Sequence, residues 1–227
     1  MAYNNGPTIV TNGLVLLLDA ADRNSYPGSG TTWRDMSGNG NNGTLENSPT
    51  YSSSNGGSFS LNGTSQTILI NCSTNTIRNY NTTCFFTVKL PLYSGGQRCI
   101  LSYRGVGGGS LYIGKNSGGI FSYYDNLSPS AYTVGTITDN TIAICCVVVD
   151  AAGGSISHYI NGNLAGTATG RTGYSTSYNT IMYLGYDNGG TNEYMLGDFY
   201  SFMHYNRVLT AAEVLQNYNS IKSRFGL

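Results

Sequence analysis

Thr141-Ile-Ala-Ile-Cys-Cys-Val-Val-Val-Asp150 is the strongest strand signal in the chain, and the segment after it fixes its setting. Ile156–Ile160 and Asn163–Ala168 flank Asn161-Gly162. That pair favours a type I′ turn, whose two central residues both need positive φ. An apolar run of this length is far short of a membrane span, so it reads as a buried strand. Side chains alternate along a strand. Ile142, Ile144, Cys146 and Val148 therefore face one side, and Ala143, Cys145, Val147 and Val149 the other. Both faces are apolar, whereas one face of an antiparallel sheet is normally wet. The second face needs a cover, either a helix or loop of the same chain or another subunit.

Outward from this strand the chain repeats one theme. Leu14–Leu18 is a continuous apolar run. Strand candidates follow at Ser58–Leu61, Thr67–Asn71, Thr83–Leu90, Cys99–Tyr103, Ser110–Gly114, Gly119–Tyr124 and Ala131–Val134, then at Thr180–Tyr186 and Leu196–Tyr205. Regular alternation of short strands and turns predicts an all-β sandwich or jelly roll. Asp19 to Ser54 is nearly all turn formers, with Trp33 as its bulky anchor. Residues 1–12 read as an N-terminal docking arm and 13–227 as one domain. One helix is predicted near the end. Thr210-Ala-Ala-Glu213 is a capping box, and Val214, Leu215, Tyr218 and Ile221 form its apolar stripe.

Composition narrows the function. Charged residues make up 10% of the 227 and the net charge is zero. Ordinary soluble domains carry about 25%. A nucleic-acid binder should show a basic excess, so that class is excluded, as is membrane insertion by a helix. The opening residues lack the features of a signal peptide. Five cysteines, Cys72, Cys84, Cys99, Cys145 and Cys146, are an odd number without zinc-ligand spacing, which predicts free thiols in a reducing compartment.

Several stretches resemble one family. Trp33-Arg-Asp-Met-Ser-Gly-Asn-Gly-Asn-Asn-Gly-Thr-Leu45 resembles the D-x-S-G-N-G-N-x-G-T-L loop of laminin-G-like, concanavalin A-like domains. Ser58-Phe-Ser-Leu-Asn-Gly63 and Ser157-His-Tyr-Ile-Asn-Gly162 are similar to that family's F-x-F-D-G and Y-x-D-G turns, with Asn in place of Asp. Gly197 to Val214 resembles its ending, G-x-I-x-x-x-x-x-Y-N-R-x-L-S-x-x-E-I. The opening Gly13-Leu-Val-Leu-Leu-Leu-Asp-Ala20 and the tail Gln216–Gly226 are similar to laminin-G-like structural proteins of tailed-bacteriophage virions. The resemblance implies a concanavalin A-like jelly roll of two antiparallel sheets with one short C-terminal helix. It further implies a virion-surface role, as a capsid decoration or fibre component assembled in the host cytoplasm. The implied partners are other capsid or tail proteins and further copies of the chain, with a trimer favoured.

Catalytic chemistry is sparse. Glycanases flank the scissile bond with two carboxylates, and the nearest pair here is Glu193 and Asp198. His158 and His204 each stand in alternating strands without an acidic partner close by in sequence, so they read as strand-face residues. Gly38-Asn-Gly-Asn-Asn-Gly43 matches G-x-G-x-x-G but lacks the strand before and the helix after that a dinucleotide site needs. Glycan binding calls for aromatic rings beside amides and carboxylates. Two clusters supply them: Tyr124, Asp125 and Asn126, and Tyr186, Asp187 and Asn188. No resident cofactor is expected. Calcium is the cation such a family can hold, with Asp19, Asp22 and Asp35, together with Asn39 and Asn41, as its candidate ligands. The expectation is a non-enzymatic virion surface protein with a lectin-like fold. A free-standing lectin is the second reading, and a glycan-cleaving enzyme the third.

Overall fold

A computed structural model describes residues 7–71, 81–93, 98–104, 110–116, 119–124, 132–170, 181–187 and 193–227. The strands run in chain order as β1 (Leu14–Asp19), β2 (Thr32–Trp33), β3 (Gly43–Glu46), β4 (Thr50–Ser52), β5 (Ser58–Asn62), β6 (Thr67–Asn71), β7 (Thr82–Lys89) and β8 (Arg98–Arg104). They continue as β9 (Ser110–Asn116), β10 (Gly119–Tyr124), β11 (Tyr132–Val134), β12 (Ile142–Asp150), β13 (Ser155–Ile160), β14 (Asn163–Ala168), β15 (Ile181–Leu184) and β16 (Leu196–Tyr205), before helix α1 (Ala211–Ile221). Two antiparallel sheets pack face to face. The first has the order β14-β13-β12-β7-β16-β5-β4, with β1 also paired to β16. The second has the order β11-β10-β9-β8-β15-β6-β3-β2.

The alternation read from β12 is the alternation found. Ala143, Cys145, Val147 and Val149 join the core between the sheets, alongside Phe86, Val88, Phe199 and Phe202. Ile144, Cys146 and Val148 turn outward into a second apolar cluster with Phe85, Met203, Tyr205 and Val214. Val214 belongs to α1, so the chain's own helix covers the second face. Thr210 caps that helix as predicted. Its hydroxyl accepts from the Glu213 N–H, and the Glu213 carboxylate accepts from the Thr210 N–H at 2.8 Å. Such a cap contributes about 1 kcal/mol. The predicted stripe is corrected at one position. Leu215 is 47% exposed, while Asn217 is buried. Asn217 is drawn inward because its amide donates to the Tyr205 hydroxyl at 3.0 Å and its Oδ1 accepts from the Val10 N–H at 2.8 Å.

Those bonds also locate the segment before β1. The Thr8, Val10 and Asn12 carbonyls accept from Gln216, the Tyr205 hydroxyl and Arg207, respectively. Residues 8–12 of the expected docking arm are therefore fastened to their own domain, and residues 1–6 lie outside the described residues.

The turn-rich stretch from Asp19 to Ser54 holds three short strands that local sequence did not announce, β2, β3 and β4. Their pairing comes from distant partners, β3 with β6 and β4 with β5. Tertiary context overrides weak local propensity here. Trp33 anchors this region with no exposed surface, its ring edge-on to Phe59 at 4.9 Å and to Phe199 at 6.4 Å. At the β13–β14 turn, Asn161 and Gly162 both adopt positive φ, as the type I′ reading requires. A Cβ at Gly162 would sit 2.6 Å from the Tyr218 ring, so the turn also presses on the helix.

Candidate functional site

The outer face of the second sheet carries the candidate site. Met182 and Leu184 of β15 point into the core, which turns Tyr183 outward. Register places Tyr183 between Leu69 of β6 and Ser102 of β8, and Ser102 beside Tyr112 of β9. After β15 the chain folds back over this row. The Ser102 hydroxyl donates to the Tyr186 carbonyl at 2.8 Å, the Asp187 N–H donates to the Glu193 carbonyl at 3.1 Å, and Tyr186 and Tyr194 form a β-bridge. The fold-back stacks the Tyr186 and Tyr194 rings at 4.5 Å and sets Tyr183 edge-on to Tyr186 at 5.3 Å. Tyr112 is buried beneath, its hydroxyl donating to the Glu193 carboxylate.

Three half-buried tyrosines thus share one surface with the half-buried carboxylates of Glu46 and Glu193. Burial raises the Tyr183 hydroxyl above its usual range, and the charge of Glu46 adds to it. Tyr186 is raised by burial and then by Tyr194. Tyr112 is raised well above its usual range by burial, with Cys99, Glu193 and Asp187 adding to the effect. All these phenols stay neutral at ordinary pH, so each hydroxyl can both donate and accept. The surface offers ring area, hydroxyls and carboxylate acceptors together.

The residues predicted to bind glycan fare differently. Tyr186 lies in the cluster. Asp187 is beside it in sequence but completely buried, so it underpins the fold-back and presents nothing to solvent. Asn188, Asp125 and Asn126 lie outside the described residues, as does the side chain of Tyr124 at the end of β10. Tyr183, Tyr194, Glu46 and Glu193 were missed as partners of Tyr186. The alternation of Ile181 to Leu184 already signalled the outward turn of Tyr183.

The proposed calcium ligands do not converge. Asp35 Oδ1 accepts from the Leu17 and Ser37 N–H groups, and its Oδ2 from the Asn41 N–H and the Ser37 hydroxyl. Asp19 Oδ1 pairs with Arg224 at 2.6 Å. Asp22 caps the turn at Asn24. Asn39 donates through its amide to the Ser37 hydroxyl, and Asn41 through its own to the Val15 carbonyl. Among the described residues no three His, Cys, Asp or Glu side chains gather as a metal site. The three carboxylates serve as turn caps and an ion pair. Glu193 and Asp198 separate likewise: Glu193 holds Tyr112 on the second sheet, and Asp198 accepts from Ser60 at 2.5 Å in the first.

A laminin-G-type family model, described as the concanavalin A-like lectin/glucanases superfamily, matches residues 62–215, more than half of the chain. The chain belongs to this superfamily. Solved structures agree on the lectin-like fold. A mutant of Trypanosoma rangeli sialidase displaying trans-sialidase activity superposes with a TM-score of 0.73 at 16% identity, over 98% of this chain and 35% of that one. The Trypanosoma rangeli sialidase bound to the inhibitor DANA gives 0.70 at 18% identity, over 99% and 35%. The binding domain of Botulinum neurotoxin DC, in complex with rat synaptotagmin II, gives 0.71 at 14% identity, over 93% and 52%. The lectin-like domain spans about a third of the sialidase chains and about half of the toxin chain. At these identities the likeness is one of fold. No curated protein matches the chain in sequence.

Proposed function

We propose that this lectin-like domain is a non-enzymatic glycan-binding protein displayed on the surface of a tailed-bacteriophage particle. The tyrosine cluster carries the binding half of this reading. Tyr183, Tyr186 and Tyr194 bring ring area and hydroxyls to one surface beside Glu46 and Glu193, the pairing of apolar area and polar groups that a sugar ring requires. The virion half rests on the sequence resemblance of residues 13–20 and 216–226. In that setting the chain assembles in the host cytoplasm, docks on capsid or tail proteins and acts as a homo-oligomer, with a trimer favoured.

The chemistry supports binding over cleavage. In the close Tyr112–Glu193 pair the phenol is buried and pushed upward, and the carboxylate is half-buried. A nucleophile needs the opposite shift. The test is a glycan array probed with the wild-type chain and with Tyr186→Ala and Tyr194→Ala, each checked for folding by circular dichroism. Binding lost in both folded variants is the expected result. Binding unchanged in both overturns the site. Assignment of the protein in a cryo-electron-microscopy map of the intact particle tests the virion half, and its absence from the particle overturns it.

A further inference from the structure

In an Asn-Gly pair the glycine nitrogen can attack the asparagine side chain, and no Cβ on the glycine hinders it. The chain has eight such pairs, and six lie at described residues: Asn12-Gly13, Asn39-Gly40, Asn42-Gly43, Asn55-Gly56, Asn62-Gly63 and Asn161-Gly162. The attack needs a side chain free to swing back, a glycine N–H free of other bonds, and room for the ring that forms.

Five of the six are clamped. Asn42 Oδ1 accepts from the Asp35 N–H at 2.9 Å, and Gly43 is buried in β3. Asn62 Oδ1 accepts from three N–H groups, and the Gly63 N–H donates to the Met195 carbonyl at 2.9 Å. Asn161 Oδ1 accepts from the Ile144 N–H at 3.0 Å, and its own N–H donates to the Ile144 carbonyl at 2.8 Å. Arginines hold the other two. Arg207 donates to the Asn12 carbonyl at 2.9 Å, and its Cγ lies 2.9 Å from where a Cβ on Gly13 would sit. Arg224 donates to the Asn55 carbonyl at 3.4 Å, and its Nε lies 2.8 Å from where a Cβ on Gly56 would sit.

Asn39-Gly40 differs on every count. Asn39 is exposed between two exposed glycines. Its N–H and its side-chain amide donate to the Ser37 hydroxyl at 3.4 and 3.0 Å. Among the described residues nothing donates to its Oδ1 and nothing accepts from the Gly40 N–H. A Cβ on Gly38 or Gly40 would meet nothing within 4 Å, so a closing ring has space.

We infer that Asn39 is a self-modification site: in the folded chain it converts to aspartate and isoaspartate without an enzyme. The Gly40 nitrogen bonds to Asn39 Cγ and gives its proton to water. The Cγ–Nδ2 bond breaks and the nitrogen leaves as ammonia. Water then opens the cyclic imide at either carbonyl. In sum, one amide and one water become one carboxylate and one ammonium ion. The conversion gives a chain of zero net charge one negative charge. It does so in the loop through which Asp35 and Asn41 hold Leu17 and Val15 of β1.

The test is peptide mass spectrometry of the whole folded chain aged in mildly alkaline buffer, beside the same chain aged in concentrated urea. Electron-transfer fragmentation assigns each asparagine and separates isoaspartate from aspartate. In the folded chain Asn39 should convert at least about tenfold faster than Asn42, Asn62 and Asn161, equivalent to about 1.4 kcal/mol, because those three react only after local opening breaks their hydrogen bonds. In urea the six pairs should react at similar rates, since every clamp is gone. Conversion of any other of the six ahead of Asn39 in the folded chain overturns the inference. So does a folded Asn39 that does not convert, or an equal spread of rates in the folded and the urea-treated chain.

Discussion

Acid should unfold this domain through its two histidines. His204 of β16, set between β7 and β1 in the sheet, is completely buried, and burial lowers it to about 3. His158 in β13 is buried as well and is lowered to about 4 for the same reason. The hydrogen bonds around His204 suit the neutral ring. The Thr82 hydroxyl spends its proton on the Tyr205 carbonyl at 2.9 Å, so it accepts from His204 Nε2 at 2.5 Å. That leaves Nδ1, 4.0 Å from Cys84 Sγ, as an acceptor for the thiol. The unfolded chain takes up each proton near pH 6.5, whereas the folded chain refuses it until about 4 or 3. Stability is therefore full above 6.5 and falls as pH drops below it. At about pH 5 each histidine costs about 2 kcal/mol, or about 4 kcal/mol together. That is a large part of the 5–15 kcal/mol, roughly, that holds a typical domain together. Glu213, held to about 2 chiefly by Arg207, loses its contribution only at lower pH, so it does not blur this window. The assay is urea unfolding followed by tyrosine and tryptophan fluorescence. With a slope of about 2 kcal/mol per molar, the midpoint should fall by about 2 M between about pH 7.5 and about pH 5. The His158→Gln, His204→Gln double variant should lose most of that dependence. A midpoint indifferent to pH, or a double variant that falls as far as the wild type, refutes the reasoning.

Two further outcomes are expected. Trp33→Ala should cost about 3–5 kcal/mol by opening a cavity against Phe59 and Phe199; Trp33→Phe should cost less, because the indole N–H has no partner among the described residues and none is lost. Urea midpoints of the two variants check the order. Thr210→Ala should cost about 1 kcal/mol through the lost cap and should increase binding of a hydrophobic dye before global unfolding, because α1 is what covers Phe85, Cys146 and Met203.

Much of the fold is legible because its decisive signals are local. The alternation in β12 reports two apolar faces with no knowledge of what covers them, and Asn161-Gly162 and Thr210–Glu213 declare a turn and a helix start through chemistry within a few residues. The two Asn-for-Asp replacements show the same locality. Asn62 Oδ1 accepts from the Thr64, Ser65 and Gln66 N–H groups, and Asn161 takes positive φ while its Oδ1 accepts from the Ile144 N–H. Neither job needs a charge, so a carboxylate is dispensable at both turns. What stayed hidden depends on partners far away in sequence. Asn217 sits where a helical stripe calls for an apolar residue, and only Val10 and Tyr205 explain why it is buried.

The tyrosine face is hidden for a related reason. Period-two alternation says which side of a sheet a residue points to, but not whether another segment lies on top. Tyr112 and Tyr183 both point outward, yet one is sealed and the other half-exposed, because Tyr186 is held to Ser102 of β8 and Glu193 to Tyr112 of β9, while Tyr183 is left only half-buried. The same fold-back divides a sequence motif. Tyr186 and Asp187 are adjacent, so they point to opposite sides of an extended backbone; when Tyr186 pairs with Tyr194, Asp187 is driven into the interior. Tyr186 and Asp187, which read as one ligand set, are thus parted by the geometry that leaves Tyr186 half-exposed. The partners of Tyr186 are found across the bridge, at Tyr194 and Glu193, and not at the residue next to it in sequence.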